Sequence, residues 1–311
     1  MRVDAEVAGL LDALNDGFPK VETMTGAQAR AAIRARLRLP ERPEPVAEVS
    51  ERTVPGPGSD LTVRIYRPAV TSEAAVPIVV FAHGGGFVFC DLDTHDGICR
   101  AMANGVGAIV VSVDYRLAPE SPWPAAAEDV YAVVEWAAGH AEELGGDARR
   151  LVVAGDSAGG NLAAVASLIG RDRSGPAIAA QLLMYPVIAA DFETDSYREF
   201  ATGHFNTRAA MRWYWDQYAA IADRDHPYAS PIRARLAGLP PAVVITGGCD
   251  PLCSEGDDYA NALAAEGVPV NHRRYDGAIH GFMTMGMLAL ARTAQKQAWV
   301  DLRELLGPAD G

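Results

Sequence analysis

The sequence predicts an α/β fold with a mostly parallel sheet and helices on both of its sides, and three observations carry that prediction. After Pro77 the chain shows continuous apolar runs, Ile78 to Ala82, Ala108 to Val113, Leu151 to Ala154, Gln181 to Tyr185 and Ala242 to Thr246, spaced by helix-forming stretches. Strands that alternate apolar and polar residues have one wet face, whereas continuous runs are buried on both, as in a parallel sheet covered by helices. One of these runs passes through glycines into an alanine-rich stretch, Leu151 to Ala164, which reads as strand, tight turn and helix. Finally, 311 residues, 49% of them hydrophobic, are enough for one large domain with a small appendage.

Taken in order, Val7, Leu10, Leu11 and Leu14, then Ala29, Ile33 and Leu37, recur at helical spacing and predict two helices, split around Phe18-Pro19. Pro40, Pro43 and Pro45 break the chain into an extended connector. Alternation in Val46 to Val49 and in Leu61 to Tyr66, around Pro55-Gly56-Pro57-Gly58, predicts an antiparallel pair at one sheet edge. Helices are expected near 95–104, 124–140, 158–170, 255–266 and 283–305, and a last strand over Val268 to Tyr275. The stretch 187–228 breaks the alternation. It carries Asp191, Glu193 and Asp195, then Phe205, Trp213, Tyr214, Trp215 and Tyr218, and an insertion of this length between strands is expected to form a lid. Most of its aromatics are expected to pack that lid onto the body. The resulting division is 1–44 N-terminal helices, 45–186 first part of the core, 187–228 insertion and 229–311 second part of the core.

Gly155, Ser157 and Gly159 spell G-x-S-x-G, in which small residues let a strand-to-helix turn hold a serine in a strained conformation with its hydroxyl exposed. A serine hydroxyl is a poor nucleophile near neutral pH, so it needs a histidine to take its proton and a carboxylate to orient the histidine. Asp250 follows the strand Ala242 to Thr246, and His280 follows the last strand. Both stand where loops leave the carboxyl ends of strands, the ligand-binding side of an open α/β sheet. His95, His140 and His226 read as solvated, His204 lies in the insertion and His272 on a polar strand face. An oxyanion needs donors, and His83-Gly84-Gly85-Gly86-Phe87 follows a buried strand with glycines that let backbone N–H groups approach a ligand. Gly84 and Gly85 are the expected donors, joined by Ala158, and His83 is expected to hold the loop's shape. No G-x-x-x-x-G-K-[ST] or G-x-G-x-x-G supports a nucleotide site instead.

Net charge is −13, which argues against affinity for a phosphate backbone. Cys90, Cys99, Cys249 and Cys253 are too few and scattered for a disulfide scaffold, and a reducing compartment is the simpler reading. The segment Met1 to Glu6 carries acids and lacks a signal peptide's apolar core, and no stretch reaches the roughly 20 apolar residues that span a bilayer. A cytoplasmic protein without nucleic-acid or membrane partners, and without metal or cofactor, is expected.

Together His83-Gly84-Gly85-Gly86, Asp114-Tyr115-Arg116-Leu117-Ala118-Pro119-Glu120, Gly155-Asp156-Ser157-Ala158-Gly159-Gly160, Asp250-Pro251-Leu252 and His280-Gly281-Phe282 resemble the hormone-sensitive-lipase-like (family IV) carboxylesterases of the α/β-hydrolase fold. The resemblance covers about residues 45 to 305. It implies an eight-stranded sheet whose second strand is antiparallel, a small helical cap made of the N-terminal helices and the 187–228 insertion, and hydrolysis of small esters with short acyl chains. It also implies pairing of two copies through a sheet edge. The expected catalytic set is Ser157, Asp250 and His280, acting through an acyl-enzyme, with Phe87, Cys90, Phe205 and Trp213 as candidate substrate contacts. Cys90 stands where the family commonly has a glycine, which narrows the pocket, and Ser254 replaces an acid after Asp-Pro-Leu. Receptors built on this scaffold carry an apolar residue at the base position, where this chain keeps His280. Proteolysis ranks below esterase action because a cap hinders chain substrates.

Overall fold

The structure, a computed structural model, describes residues 2–70 and 75–307. Met1 and residues 308–311, the ends of the first and last expected units, lie outside the described residues.

The chain opens with two helices, α1 (Ala5–Gly17) and α2 (Gly26–Arg34). Asp4 and Thr25 start them: the Asp4 side chain accepts the N–H of Glu6, and Thr25 forms a reciprocal capping box with Gln28. Strands β1 (Glu48–Val54) and β2 (Leu61–Arg67) form the antiparallel edge pair that the sequence predicts. There follow β3 (Val76–Ala82), α3 (Asp96–Val106), β4 (Ile109–Asp114), α4 (Ala125–Gly139), the short α5 (Ala141–Leu144), β5 (Gly146–Asp156), α6 (Ala158–Asp172) and β6 (Ala180–Met184). The insertion holds α7 (Asp195–Glu199) and α8 (Arg208–Tyr218), and the chain returns through β7 (Ala242–Gly247), α9 (Cys253–Ala265), β8 (Val270–Tyr275) and α10 (Ala289–Leu306).

The eight strands lie in the order β1-β2-β4-β3-β5-β6-β7-β8. β2 pairs antiparallel with both β1 and β4, and every other pair is parallel. The central strands β3, β6 and β7, and β5 from Leu151 onward, are buried along almost their whole length, which is why their sequences read as unbroken apolar runs. α4 and α6 cover one face, and α3 with α10 the other, giving two separate apolar layers. Several boundaries differ from expectation by a few residues, and the last helix differs most. The last helix begins at Ala289 rather than 283, because Gly281 turns the chain at φ 76° and a short 3₁₀ turn at Phe282–Thr284 precedes Gly286.

Two arginines of α2 attach it to the body. Arg30 donates to the carbonyls of Val88 (2.9 Å) and Ala118 (3.0 Å), and Arg34 pairs with Asp93 at 2.7 Å. Asn15, on α1, donates its amide to Gly203 O at 3.0 Å and accepts the N–H of Phe205 at 2.9 Å, so the N-terminal helices and the insertion meet directly. In the Asp114–Glu120 motif, Arg116 grips the fully buried Asp129 of α4 with two side-chain bonds and one backbone bond, a framework role.

Candidate active site

β5 ends at Asp156 and α6 begins at Ala158, leaving Ser157 alone in the turn at φ 55° and ψ −118°. For a residue with a side chain this is a strained conformation, held by its surroundings. Glycine is required beside it: a Cβ on Gly159 would stand 1.9 Å from the carbonyl oxygen of Ala82. Close packing of α6 on β3 therefore fixes the turn.

Asp250 and His280 come to Ser157 from the loops after β7 and β8. His280 Nδ1 lies 2.7 Å from Asp250 Oδ2, and His280 Nε2 lies 2.8 Å from Ser157 Oγ. The carboxylate facing Nδ1 assigns the ring proton to that nitrogen, which leaves Nε2 to accept from the hydroxyl. Asp250 is fully buried and its other oxygen accepts the N–H of Leu252 at 2.9 Å, while Ser157 and His280 remain 7% and 9% exposed. The carboxylate is thus fixed and dry, and the reacting atoms stay reachable.

The glycine loop differs from expectation at one position. Gly84 donates its N–H to Asp156 Oδ1 at 2.8 Å, so it is not available to a ligand. Gly85 and Gly86 line the cavity over Ser157, and among the described residues neither N–H meets an acceptor in the protein. Ala158 opens α6, where backbone N–H groups lack helical partners. The free donors are therefore one residue further along the loop than spacing alone predicts. His83 does shape this loop: it is fully buried, stacks on Tyr115 at 4.3 Å between centroids and contacts Gly84 O at 2.7 Å. Burial, and then the neighbouring His95, push its pKa down to about 4.

His95, read from the sequence as solvated, is buried instead. Its Nε2 lies 3.1 Å from Asp156 Oδ1, and its Nδ1 meets Thr94 Oγ1 at 2.9 Å. Burial alone would raise the pKa of Asp156, but His95 and the Gly84 N–H hold it below the usual carboxylate value. Asp156 lies 61 residues from His95 in sequence, so no local pattern marks the pair.

The cavity over Ser157 measures about 150 Å³. Of the four candidate substrate contacts, Phe205 and Cys90 are on its wall; Phe87 and Trp213 are not. Phe87 is buried and stacks on Tyr218 at 3.7 Å, and Trp213 packs at the edge of the core. Tyr214 takes the place expected of Trp213. The signal was present, since Ala210, Met211, Tyr214, Trp215 and Tyr218 are the buried face of α8 and position 213 falls off that stripe. Phe18, Ile33, Phe89, Asn206, Gly281 and Thr284 also line the wall, and the sequence does not assign them to it. Cys249 and Cys253 are buried free thiols outside the cavity.

A family model described as alpha/beta hydrolase fold matches residues 79–284, two thirds of the chain. The chain belongs to the α/β-hydrolase family. Within it, the hormone-sensitive-lipase-like group is the one its motifs and relatives define. Esterase LipI of Mycobacterium tuberculosis is 44% identical over 282 residues, covering 88% of this chain and 88% of the relative. Carboxylesterase NlhH of the same organism is 42% identical over 298 residues, 92% of each. The crystal structure of a thermostable esterase from Pseudomonas putida ECU1011 superposes with a TM-score of 0.92 at 39% identity, covering 99% of both chains. This α/β-hydrolase is a carboxylic ester hydrolase.

Proposed function

We propose that Ser157, His280 and Asp250 are the working triad of a serine carboxylesterase for small esters with short to medium acyl chains. The observation that carries this reading is the unbroken sequence of contacts Asp250–His280–Ser157, at 2.7 and 2.8 Å, beneath a loop with unpaired N–H groups. Ser157 Oγ attacks the ester carbonyl as His280 Nε2 takes its proton. The N–H groups of Gly85, Gly86 and Ala158 receive the oxyanion. His280 then protonates the leaving alkoxide, and the acyl-enzyme is hydrolysed by a water that His280 activates in turn. Asp250 keeps the imidazole in its useful tautomer and stabilises the imidazolium. The cavity of about 150 Å³ supports a short acyl chain, since a space of that size holds roughly a benzene ring.

The cap in this reading is the N-terminal segment 1–44 with the 187–228 insertion, supported by Phe18 and Ile33 from the first and Phe205, Asn206 and Tyr214 from the second, all on the cavity wall. Four free cysteines support a reducing, cytoplasmic setting, and no helix among the described residues is long and apolar enough to cross a membrane. β8, with its alternating exposure at one end of the sheet, is the edge through which two copies would pair. Sedimentation of wild type against a variant with a proline in β8 tests that pairing.

Ser157→Ala is expected to lower kcat on p-nitrophenyl butyrate by at least about 10⁴-fold with an unchanged circular dichroism spectrum. Undiminished turnover in that variant rejects the assignment. Asp250→Asn, which permits the wrong tautomer, is expected to cost about 10⁴ in kcat with little change in KM.

A further inference from the structure

Two side chains separate the cavity over Ser157 from a space that the triad does not use. Ile33, near the end of α2, and Cys90, just past the glycine loop, line the cavity over Ser157. The same two line a further cavity of about 350 Å³ between α2 and the 90–94 turn. Among the described residues no other borders both. Ile33 and Cys90 are therefore the partition.

Cys90 occupies its place against local preference. Its φ is 70°, in the left-handed region where glycine is the unstrained choice. The turn that follows holds it there: the Asp91 N–H donates to Thr94 Oγ1 at 2.9 Å, and the Thr94 N–H donates to Asp91 Oδ1 at 3.0 Å. On its other side Cys90 abuts the oxyanion loop, since a Cβ on Gly85 would stand 3.0 Å from Cys90 Cβ. The partition is thus pinned rather than mobile, and a glycine at this position would fit the backbone better while leaving a gap.

The space behind the partition suits hydrocarbon. Four polar side chains line it, and each is already bonded within the protein. Arg30 donates to Val88 O and Ala118 O, and Arg34 pairs with Asp91 and Asp93. Asp91 Oδ1 accepts the N–H groups of Asp93 and Thr94, and Thr94 Oγ1 donates to Asp91 O at 2.7 Å. An alkyl chain entering here would strip no polar group of its partner, and Ala31 and Ile33 offer it apolar contact.

The proton transfers decide which arm of the ester points that way. His280 Nε2 must protonate the leaving oxygen, so the alcohol departs on the side of His280. The oxyanion takes the N–H groups of Gly85 and Gly86, which leaves the acyl chain the corner away from His280. Cys90 flanks Gly85, and nothing from the 280–284 loop or the 187–228 insertion lines the space behind it.

We propose that Cys90, with Ile33, is the stop that sets acyl length: the two side chains close the acyl end of the cavity, and without them a longer chain runs on beside α2. This rests on the esterase reading of the same site.

The test compares two ratios of kcat/KM in wild type and variants. The acyl ratio is p-nitrophenyl octanoate over p-nitrophenyl butyrate, and the alcohol ratio is octyl butyrate over butyl butyrate, followed by pH-stat titration. Cys90→Gly, which relieves the backbone and is therefore safe for the fold, is expected to raise the acyl ratio about tenfold while the alcohol ratio holds within about twofold. Ile33→Ala opens the partition from α2 and is expected to move the acyl ratio the same way. Cys90→Ser keeps a side chain of nearly the same size, so its acyl ratio is expected to stay within about twofold of wild type. Acyl ratios unchanged in both opening variants overturn the proposal, as does an alcohol ratio that rises as much as the acyl one. A rise in Cys90→Ser equal to that in Cys90→Gly overturns it too, because the thiol would then act by its chemistry and not by its bulk. If Ser157→Ala is inactive on every ester while the acyl ratio ignores positions 33 and 90, only this inference falls; if wild type hydrolyses none of them, the esterase reading falls and takes it along.

Discussion

At the scale of single residues, burial moves the titration of two groups near the site, in opposite senses. His83 is neutral in the folded protein, with its pKa held at about 4, against roughly 6.5 for the unfolded chain. The unfolded chain therefore binds the extra proton first as pH falls. Stability is intact above about 6.5 and is lost through the window down to about 4, by roughly 3 kcal/mol from this residue alone. Chemical denaturation of wild type and His83→Gln between those values is expected to show a shallower acid decline in the variant; equal slopes contradict the assignment. Glu255 titrates in the opposite sense. Its carboxyl is buried behind the Asp250 loop, accepts the Ala189 N–H at 3.2 Å, and has its pKa pushed well up by burial. The folded state keeps that proton longer than the unfolded one, so stability falls as pH rises through the carboxylate range toward the raised value. Glu255→Gln keeps an acceptor for Ala189 without the charge. Its Tm advantage over wild type is expected to widen as pH rises above the unfolded carboxyl's value of about 4.3, and a gap that narrows rejects the reading.

At the scale of elements, the strand-turn-helix around Ser157 was legible because its requirements are local: an apolar strand, glycines where a Cβ has no room, and an alanine-rich helix. Asp250 and His280 were legible because strand ends in a parallel sheet converge on one rim. The glycine loop was only half legible. Spacing shows that N–H groups can face a ligand, but which one is taken depends on Asp156, more than 70 residues away. His95 was misread for the same reason, its partner and its burial both arising from tertiary contact. The Asn15 amide bonds the N-terminal helices directly to the 187–228 insertion. Asn15→Leu removes both of its bonds while leaving α1 in place. KM for p-nitrophenyl butyrate is expected to rise about tenfold with kcat changed less than about threefold, because the Phe205 wall loosens and the triad does not. An equal loss in kcat contradicts a wall-positioning role.

For the whole molecule, the sheet order and the packing of the N-terminal helices and the 187–228 insertion together shape the cavity over Ser157. The central strands were readable from composition because both of their faces are dry, and the antiparallel second strand came from the family resemblance rather than from spacing. Cavity size was not readable. It depends on Tyr214 lying against Gly86 and Phe18 against Phe205 at 4.9 Å, contacts between segments whose packing no single motif specifies. With about 150 Å³ over Ser157, kcat/KM across p-nitrophenyl esters is expected to peak between acetate and hexanoate and to fall at least tenfold by dodecanoate. A rise toward dodecanoate contradicts the cavity as described.

The central claim, that Ser157 is the nucleophile made reactive by His280, is tested most directly by labelling with an alkyl fluorophosphonate and mapping the adduct by peptide mass spectrometry. One adduct per chain on Ser157 is expected, formed at least about 10³-fold more slowly in His280→Ala. An adduct on any other residue, or labelling of Ser157 at the same rate without the imidazole, contradicts the account.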